Sequence, residues 1–330
     1  MSQGENYSAS RATVDGIEVV RLSDARHQTE VSIVPSVGNL AFEMKVKGTN
    51  VFWWPYKSLA DFKAKPGFAG NPFLAPWANR LDEDAFYANG RKYRLNPDLG
   101  NIRRDQAQHP IHGLVSYAPW EVTAVGADAQ QAWVTSKLDF WRHPDWMAQF
   151  PFAHNLVMTH RLRDGVLEVH LRIESQSAEP MPVSIGFHPY FHLSDAPRDA
   201  WTIHSSAREH VKLSDQLMPT GEMEPSKLSD PHPLQGTQVD DVFTGLQRDD
   251  DGKATFWVKG SKQKLSVIYG PKYQVAVIYA PAGREFICFE PMAAITNAMN
   301  LAQRGLYPAL QSIPPLGSWE ESFWIRAEGF

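Results

Sequence analysis

The segment LVMTHRLRDGVLEVHLRIE, residues 156–174, decides the fold class. Its second half alternates apolar with polar residues, which is the period-two pattern of a strand with one buried face. Asp164-Gly165, just before that half, is a tight-turn signal, and another apolar run precedes it. Two such runs joined by Asp-Gly predict an antiparallel β-hairpin. The apolar positions are Leu156, Met158 and Leu162 before the turn and Leu167, Val169, Leu171 and Ile173 after it.

Strand patterns continue on both sides of this hairpin. The chain has 24 Pro and 22 Gly, which separate its short strand patterns. This predicts an all-β fold, a large antiparallel sandwich or barrel with few short helices. Helical signals are confined to Leu59–Ala64 and Ile295–Ala302. The further predicted strands are Ile17–Leu22, Val31–Val34, Leu40–Lys47, Ala132–Leu138, Thr255–Val258, Leu265–Tyr269, Val275–Tyr279, Phe286–Phe289 and Phe323–Ala327.

The domain organisation follows from the absence of any clear linker. Ser214–Gly236 carries several Pro, Ser and Gly residues but also apolar ones, so it reads as a long surface loop rather than a boundary. The sequence has no internal repeat and no low-complexity segment. We therefore expect one domain over residues 1–330.

Composition limits the classes of function. The chain of 330 residues is 43% hydrophobic and 21% charged, and its net charge of −5 disfavours a nucleic-acid partner. Cys288 is its single cysteine, which rules out an intramolecular disulfide and fits a reducing compartment. Residues 1–16 lack the pattern of a secretory signal, and no apolar stretch is long enough to cross a bilayer. We expect a cytoplasmic protein without membrane attachment.

The first two candidate sites are loops. Asn71–Arg80 contains two prolines and Trp77 before Asn79-Arg80, so it is irregular and stiff. The Arg80 guanidinium suits several oxygens of a polar ligand, although most arginines only pair with a surface carboxylate. In the second loop, His112 precedes Gly113, which allows a turn that exposes the imidazole; taken alone, it reads as an ordinary loop histidine.

The third candidate is IGFHPYFHL, residues 185–193, where two histidines and three aromatic residues interrupt a core-like strand. Pro189 biases His188 toward extended backbone. In a strand, His188 and His192 would point to one face roughly 13 Å apart, too far to share a metal ion without a bend. A metal site is therefore disfavoured, and His192 is interpreted as structural.

Two carboxylates complete the set of candidates. Asp240 lies in Val239–Phe243, where aspartates next to an apolar run most often cap a turn. Glu290 ends the apolar run of Phe286–Met292 and precedes a proline. A carboxylate at the end of a buried strand is costly unless it is paired or used, which makes Glu290 the sharpest anomaly in the sequence.

Taken in order, these blocks resemble the aldose 1-epimerase (mutarotase) family. The matching motifs are Asn79-Arg80 followed by Gly90 and Tyr93-Arg-Leu95, then His112-Gly113, Gly-Phe-His-Pro-Tyr-Phe, Asp-x-x-Phe and Phe-Glu-Pro-Met. The resemblance implies a large β-sandwich of the galactose-mutarotase type. The chain departs from the better-known galactose mutarotases after Glu290, with Pro-Met where they carry Thr-Gln, so the resemblance implies the chemistry more than the sugar.

The resemblance also implies residue roles in the interconversion of α and β anomers of an aldohexose. His188 would be the acid and Glu290 the base of a ring opening that needs neither metal nor organic cofactor. Asn79, Arg80, His112 and Asp240 would bind the sugar. Apart from the resemblance, apolar sugar faces stack on aromatic rings, and Trp77 is our candidate for that contact. With the ordinary order of pKa values, the acidic limb of the pH–rate profile would belong to Glu290 and the alkaline limb to His188.

The sequence leaves three alternative functions open. A hexose-6-phosphate mutarotase would need additional cations, for which Arg103-Arg104 or Lys272 could serve. A non-catalytic carbohydrate-binding protein could share the fold, although pure binding does not require both His188 and Glu290. A zinc hydrolase built on the histidines is disfavoured by their spacing.

Overall fold

The structure, a computed structural model, describes residues 6–330 and is built almost entirely from antiparallel strands. The strands in chain order are β1 Tyr7–Val14, β2 Ile17–Asp24, β3 Thr29–Val34, β4 Leu40–Val46, β5 Thr49–Asn50, β6 Phe73–Leu74, β7 Ala85–Ala88, β8 Arg91–Arg94, β9 Glu121–Ala127, β10 Ala132–Asp139, β11 His154–Arg163, β12 Val166–Ser175 and β13 Met181–Val183. They continue with β14 Gly186–Phe187, β15 Tyr190–Phe191, β16 Thr202–His204, β17 Ala207–Leu213, β18 Pro219–Pro225, β19 His232–Pro233, β20 Val239–Leu246, β21 Ala254–Lys259, β22 Lys264–Tyr269, β23 Val275–Ala280, β24 Ile287–Met292, β25 Gln311–Ile313 and β26 Ser318–Glu328.

Helices are few and short. The α-helices are α1 Leu59–Ala64, α2 Pro144–Gln149 and α3 Ala298–Gln303, and single 3-10 turns lie at Pro97–Leu99, Phe140–Arg142 and Arg198–Ala200. Helix α1 begins where predicted because Ser58 caps it: the Ser58 side chain accepts from the Asp61 backbone N–H at 3.0 Å. Within the described residues no helix is long and apolar enough to cross a membrane.

The hairpin β11–β12 confirms the pattern from which the fold class was predicted. Arg163 pairs with Val166 across a two-residue turn, and Asp164 and Gly165 both have positive φ, at 50° and 69°. These angles match a type I′ turn, which follows the twist of the strands. The hairpin lies inside a nine-stranded sheet of order β19-β16-β21-β22-β26-β12-β11-β10-β9.

A second large sheet carries the candidate site. Its eight strands include the path β18-β17-β20-β23-β24-β14-β6, and β15 also pairs with β24. A main hydrophobic cluster lies between the nine-stranded and eight-stranded sheets, where the rings of Phe256 and Phe289 are 6.1 Å apart and those of Phe187 and Phe323 are 4.8 Å apart. A five-stranded sheet, β1 to β5 in chain order, contributes residues to the same cluster. The predicted all-β antiparallel sandwich is confirmed.

All the predicted strands are present with ends shifted by at most five residues, but one local prediction and one ordinary interpretation are wrong. Ser214–Gly236 contains strand β18, which pairs with β17 at the edge of the eight-stranded sheet, so it is not simply a loop. Asp240 pairs with Tyr279 inside β20 rather than capping a turn. The expectation of no secretory signal concerns residues 1–16, of which residues 1–5 lie outside the described chain.

Candidate active site

A cavity of about 210 Å³ opens on one face of the eight-stranded sheet and gathers most of the residues singled out from the sequence. It lies over β20, β23 and β24, beside the break between β14 and β15. Its polar lining consists of Asn79, Arg80, His112, His188, Asp240 and Glu290, and its other walls are Phe68, Ile111, Tyr190, Val277 and Tyr279. Six of the seven residues predicted for the site therefore meet here.

Sheet register brings the two carboxylates to this cavity. Asp240 of β20 lies opposite Tyr279 of β23, and Glu290 of β24 lies opposite Val277 of β23. Directly opposed residues project to the same face of a sheet, and Tyr279 and Val277 are two positions apart, so both carboxylates share one face. Two antiparallel ladders thus place side chains that are 50 positions apart in sequence at one site.

His188 lies where the strand is interrupted. Pro189 follows it and separates β14 from β15, while the His188 backbone N–H donates to the Pro72 carbonyl at 2.9 Å. The imidazole stacks on the Tyr190 ring at 4.6 Å and 5° between planes, and on the Phe68 ring at 5.6 Å and 9°. Ring faces attract a cation, so this stack offsets part of the cost of protonating the buried His188 ring.

His188 and Glu290 form a buried pair. The Nε2 atom of His188 lies 3.3 Å from Oε1 of Glu290, and the two residues are only 7% and 1% exposed. Burial lowers the pKa of His188 to about 3. Burial, followed by the charge of Asp240, raises the pKa of Glu290 well above its ordinary value. Because the pKa of His188 is lowered and that of Glu290 is raised, a single proton shared by the pair lies mainly on Glu290.

Arg80 is held by groups on either side of it. Its Nε donates to Asp105 at 2.7 Å and its Nη1 to the side-chain oxygen of Asn79 at 3.0 Å. Burial opposes ionisation of Asp105, yet the hydrogen bonds from Arg80 and His109 keep its pKa below the ordinary value. The Arg80 carbonyl also accepts from the backbone N–H of Asn297 at 2.9 Å. The guanidinium is thereby fixed at the cavity with donors to spare.

His112 is fixed by the main chain of the same segment. The Asn79 backbone N–H donates to Nδ1 of His112 at 3.2 Å, so Nδ1 carries no proton and Nε2 is the protonated nitrogen of the neutral ring. Burial, followed by the charges of His188 and Arg80, lowers the pKa of His112 well below its ordinary value. Gly113 has φ 62° and packs against the Ala75 carbonyl, where a side chain would not fit. His112 is therefore a neutral hydrogen-bond donor.

Asp240 is the second acid of the cavity. Burial raises its pKa, the charge of Arg80 opposes that change, and the neighbouring Asp241 adds to it. Within residues 6–330 no cation lies within ion-pairing distance of the Asp240 carboxylate. It is thus available to accept hydrogen bonds from a polyhydroxylated ligand.

Trp77 and two of the histidines do not reach the cavity. Trp77 is fully buried in the main hydrophobic cluster and does not line the cavity. Nδ1 of His192 lies 2.7 Å from the Glu285 carbonyl, which fits its interpretation as structural, and His109 pairs with Asp105 at 3.3 Å. In the described part of the chain no three His, Cys, Asp or Glu side chains are grouped to hold a metal ion.

The aromatic walls come from residues that the sequence analysis did not select. Phe68, Tyr190 and Tyr279 line the cavity instead of Trp77. Tyr190 belongs to the His-Pro-Tyr-Phe block and Tyr279 lies in a predicted strand. Because side chains alternate between the two faces of a strand, their positions relative to the predicted site residues could have pointed to both. Phe68 carries no comparable signal beyond Gly67 before it.

Comparison with known proteins adds a family and a fold. The family model described as aldose 1-epimerase matches residues 18–309. Two uncharacterized proteins of Escherichia coli are similar in sequence: YphB is 27% identical over 168 residues, or 49% of this chain and 52% of YphB, and YihR is 23% identical over 147 residues, or 44% of each. These matches span about half the length of the curated relatives.

Solved structures resemble the chain over nearly its whole length. A galactose mutarotase-like protein from Clostridium acetobutylicum superposes with a TM-score of 0.87 at 20% identity, covering 99% of this chain and 100% of the other. A galactose 1-epimerase from Lactobacillus acidophilus superposes with a TM-score of 0.73 at 15% identity, covering 98% and 99%. At these identities the likeness establishes the fold.

Proposed function

The chain belongs to the aldose 1-epimerase family, and from that premise we propose that it interconverts the α and β anomers of an aldohexose. The observation that carries this proposal is the 3.3 Å contact between Nε2 of His188 and Oε1 of Glu290 inside one buried cavity. Ring opening needs a base for the anomeric hydroxyl and an acid for the ring oxygen. Both oxygens are bonded to the same carbon, so two groups that touch each other can reach both.

The proposed reaction conserves protons between the pair and the sugar. The active form has the shared proton on His188 and Glu290 ionised. Glu290 takes the proton of the anomeric hydroxyl while His188 gives its proton to the ring oxygen, which breaks the bond between that oxygen and C1. The open aldehyde turns about its C1–C2 bond and closes on its other face by the reverse transfers, which return the proton to His188.

The remaining polar groups would bind and orient the sugar. Neutral His112 and the spare donors of Arg80 can donate to sugar oxygens, while Asp240 can accept from a hydroxyl. Phe68, Tyr190 and Tyr279 supply apolar walls for the apolar faces of the ring. The donors and acceptor lie in one cavity with the acid–base pair, which supports a role in orienting the substrate.

The first prediction tests the base. Glu290→Gln should keep the fold and lower kcat for mutarotation by about 10²- to 10⁴-fold, since general-base catalysis contributes that much. Polarimetry of freshly dissolved α-glucose and α-galactose measures the rate, and circular dichroism checks the fold. Glu320→Gln, a change on β26 away from the cavity, is the matched control.

Near-normal turnover in a folded Glu290→Gln variant would remove Glu290 from the base role. Saturable sugar binding by the wild-type protein without any acceleration of mutarotation would favour the non-catalytic carbohydrate-binding alternative. That second outcome is read by calorimetric titration with the same sugars.

A further inference from the structure

A second cavity adjoins the candidate active site. It has a volume of about 540 Å³ and shares His112 as a wall with the smaller cavity. Among its other lining residues are Arg103, Ser116, Tyr117 and Trp146. As far as residues 6–330 are concerned, no carboxylate lines it, whereas Asp240 and Glu290 line the smaller cavity. In a chain of net charge −5, a cavity with a cation and without an acid favours an anionic ligand.

The cation of this cavity is Arg103. Its guanidinium carbon lies 4.4 Å from the ring centre of Phe68 and 5.3 Å from that of Tyr117. No Asp or Glu side chain of the described chain is within ion-pairing distance of it, although its neighbour Arg104 makes two hydrogen bonds to Asp84, at 2.8 and 3.0 Å. Arg103 is thus placed by aromatic rings and by its contact with the Tyr117 hydroxyl, and its guanidinium has further donors for a ligand.

Tyr117 adds a second donor. Burial raises its pKa to about 12 against the charge of Arg103 and a hydrogen bond from that side chain, so the Tyr117 hydroxyl keeps its proton. The hydroxyl oxygen is buried and lacks a hydrogen-bond partner of good geometry in the described part of the chain. A buried donor without a partner costs free energy unless a ligand uses it. Arg103 and Tyr117 together offer donors suited to an oxyanion.

Phe68 connects this cavity to the acid–base pair. One face of its ring stacks on His188 and Arg103 lies over the ring, so Arg103 and His188 both pack against the same side chain. A sugar in the smaller cavity could therefore carry a substituent past His112 toward Arg103. The other cation considered from the sequence, Lys272, is occupied: its Nζ donates to the Glu320 carbonyl at 3.0 Å.

We propose that Arg103 and Tyr117 form an oxyanion subsite, and that the substrate is an aldose bearing a phosphate or carboxylate group away from its anomeric carbon. This inference rests on the proposed function and specifies the substrate class of the same site. Phosphate and carboxylate share the chemistry that the subsite recognises, namely oxygens that accept from a guanidinium and a hydroxyl.

The experiment compares matched sugars that differ only at the carbon outside the ring. Mutarotation is followed by NMR for glucose, glucose 6-phosphate and glucuronate with wild type, Arg103→Gln, Tyr117→Phe and the control Arg104→Gln. Wild type should prefer an anionic sugar, and the better of the two identifies the anion. Arg103→Gln should lower kcat/KM for that sugar by about 10- to 100-fold, mainly through KM, because hydrogen bonds to charged groups are worth this much. Glucose turnover should change less than about twofold, and Arg104→Gln should resemble wild type.

Two results would overturn the subsite: a wild-type preference for glucose over both anionic sugars, or an equal loss for neutral and anionic sugars in Arg103→Gln. If no sugar is converted, the proposed function fails instead. Calorimetry with glucose 6-phosphate and glucuronate then tests the subsite alone. Saturable binding that Arg103→Gln abolishes would support it, and no binding to wild type would overturn it.

Discussion

At the scale of single residues, His188 and Glu290 have pKa values displaced in opposite directions. Burial lowers the pKa of His188 to about 3 and raises that of Glu290. The sequence led us to expect the ordinary order, with the acidic limb of the pH–rate profile due to Glu290 and the alkaline limb due to His188. The burial of both groups predicts the reverse assignment. A second proton binds at low pH on His188, and the shared proton leaves at high pH from Glu290, so kcat/KM should be maximal between these steps.

The second prediction uses His188→Asn to read this order. In the variant only Glu290 titrates, and the base must be ionised, so residual activity should rise with pH across the range in which wild-type activity falls. A pH series of kcat/KM on both proteins measures this, with circular dichroism at each pH. If the variant instead keeps the acidic limb of the wild-type profile, the ordinary order of pKa values is correct. An unchanged bell would remove His188 from the reaction.

The sequence could predict those site residues whose chemistry conflicts with their surroundings. Glu290 at the end of an apolar strand and His188 before a proline are of this kind. Trp77 and Phe68 have no such conflict, because an aromatic ring suits both a core and a cavity wall. Only the packing of the chain puts Trp77 in the core and Phe68 against His188. Aromatic walls were therefore the part of the site that the sequence could not locate.

At the scale of one element, strand β11 buries two histidines, His154 and His160. Burial lowers the pKa of each to about 4. Nδ1 of His154 lies 2.7 Å from the Phe152 carbonyl, whereas neither nitrogen of His160 has a hydrogen-bond partner in the described chain. An unfolded histidine has a pKa near 6.5, so between pH 6.5 and 4 the unfolded state binds the extra proton. Each histidine should then lower the free energy of unfolding by up to about 1.4 kcal/mol per pH unit of acidification.

The third prediction concerns His160→Leu. Below pH 6.5 the free energy of unfolding of the variant should fall less steeply with acidification than that of wild type. The difference in slope should approach about 1.4 kcal/mol per pH unit, the contribution of one proton, because leucine fills a similar space and does not titrate. Urea unfolding at pH 8, 6, 5.5 and 5 measures the slope. At pH 8, where His160 is neutral in both states, the same comparison reports packing alone. Equal slopes for wild type and variant would show that His160 is not buried in its neutral form.

Strands were predictable from the sequence where one face is buried, and not where both faces are exposed to solvent. The run Leu40–Val46 alternates cleanly and forms β4, whereas β18, with mostly exposed residues at the edge of a sheet, has no apolar face to signal it. Helix α3 begins at Ala298 rather than Ile295 because Asn297 has φ 62° and its backbone N–H is used by the Arg80 carbonyl. Tertiary hydrogen bonds of this kind leave no local pattern.

At the scale of the whole molecule, we propose that the chain is one domain, as its sequence led us to expect. The support is a single hydrophobic cluster that contains Tyr7 and Val20 near one end and Phe323 and Ile325 near the other, together with both large sheets between them. Sheets that share one core cannot be separated without exposing it to water.

The fourth prediction follows from this proposal. Unfolding in urea should be a single transition, with coincident curves from circular dichroism of the sheets and from fluorescence of the tryptophans, which are spread along the chain. Two separated transitions, or a protease-resistant fragment that keeps a sheet intact, would divide the chain into domains.

The bond between the Asn79 N–H and Nδ1 of His112 has one more consequence. The donor is a backbone N–H. The tautomer of His112 is therefore set by the backbone conformation of the loop and not by the side chain at position 79. Amino-acid replacement at position 79 would leave that choice intact, with proline the exception because it has no N–H. His112 should therefore keep its Nε2–H donor when nearby side chains are replaced. A change in the backbone path of the loop would remove this preference.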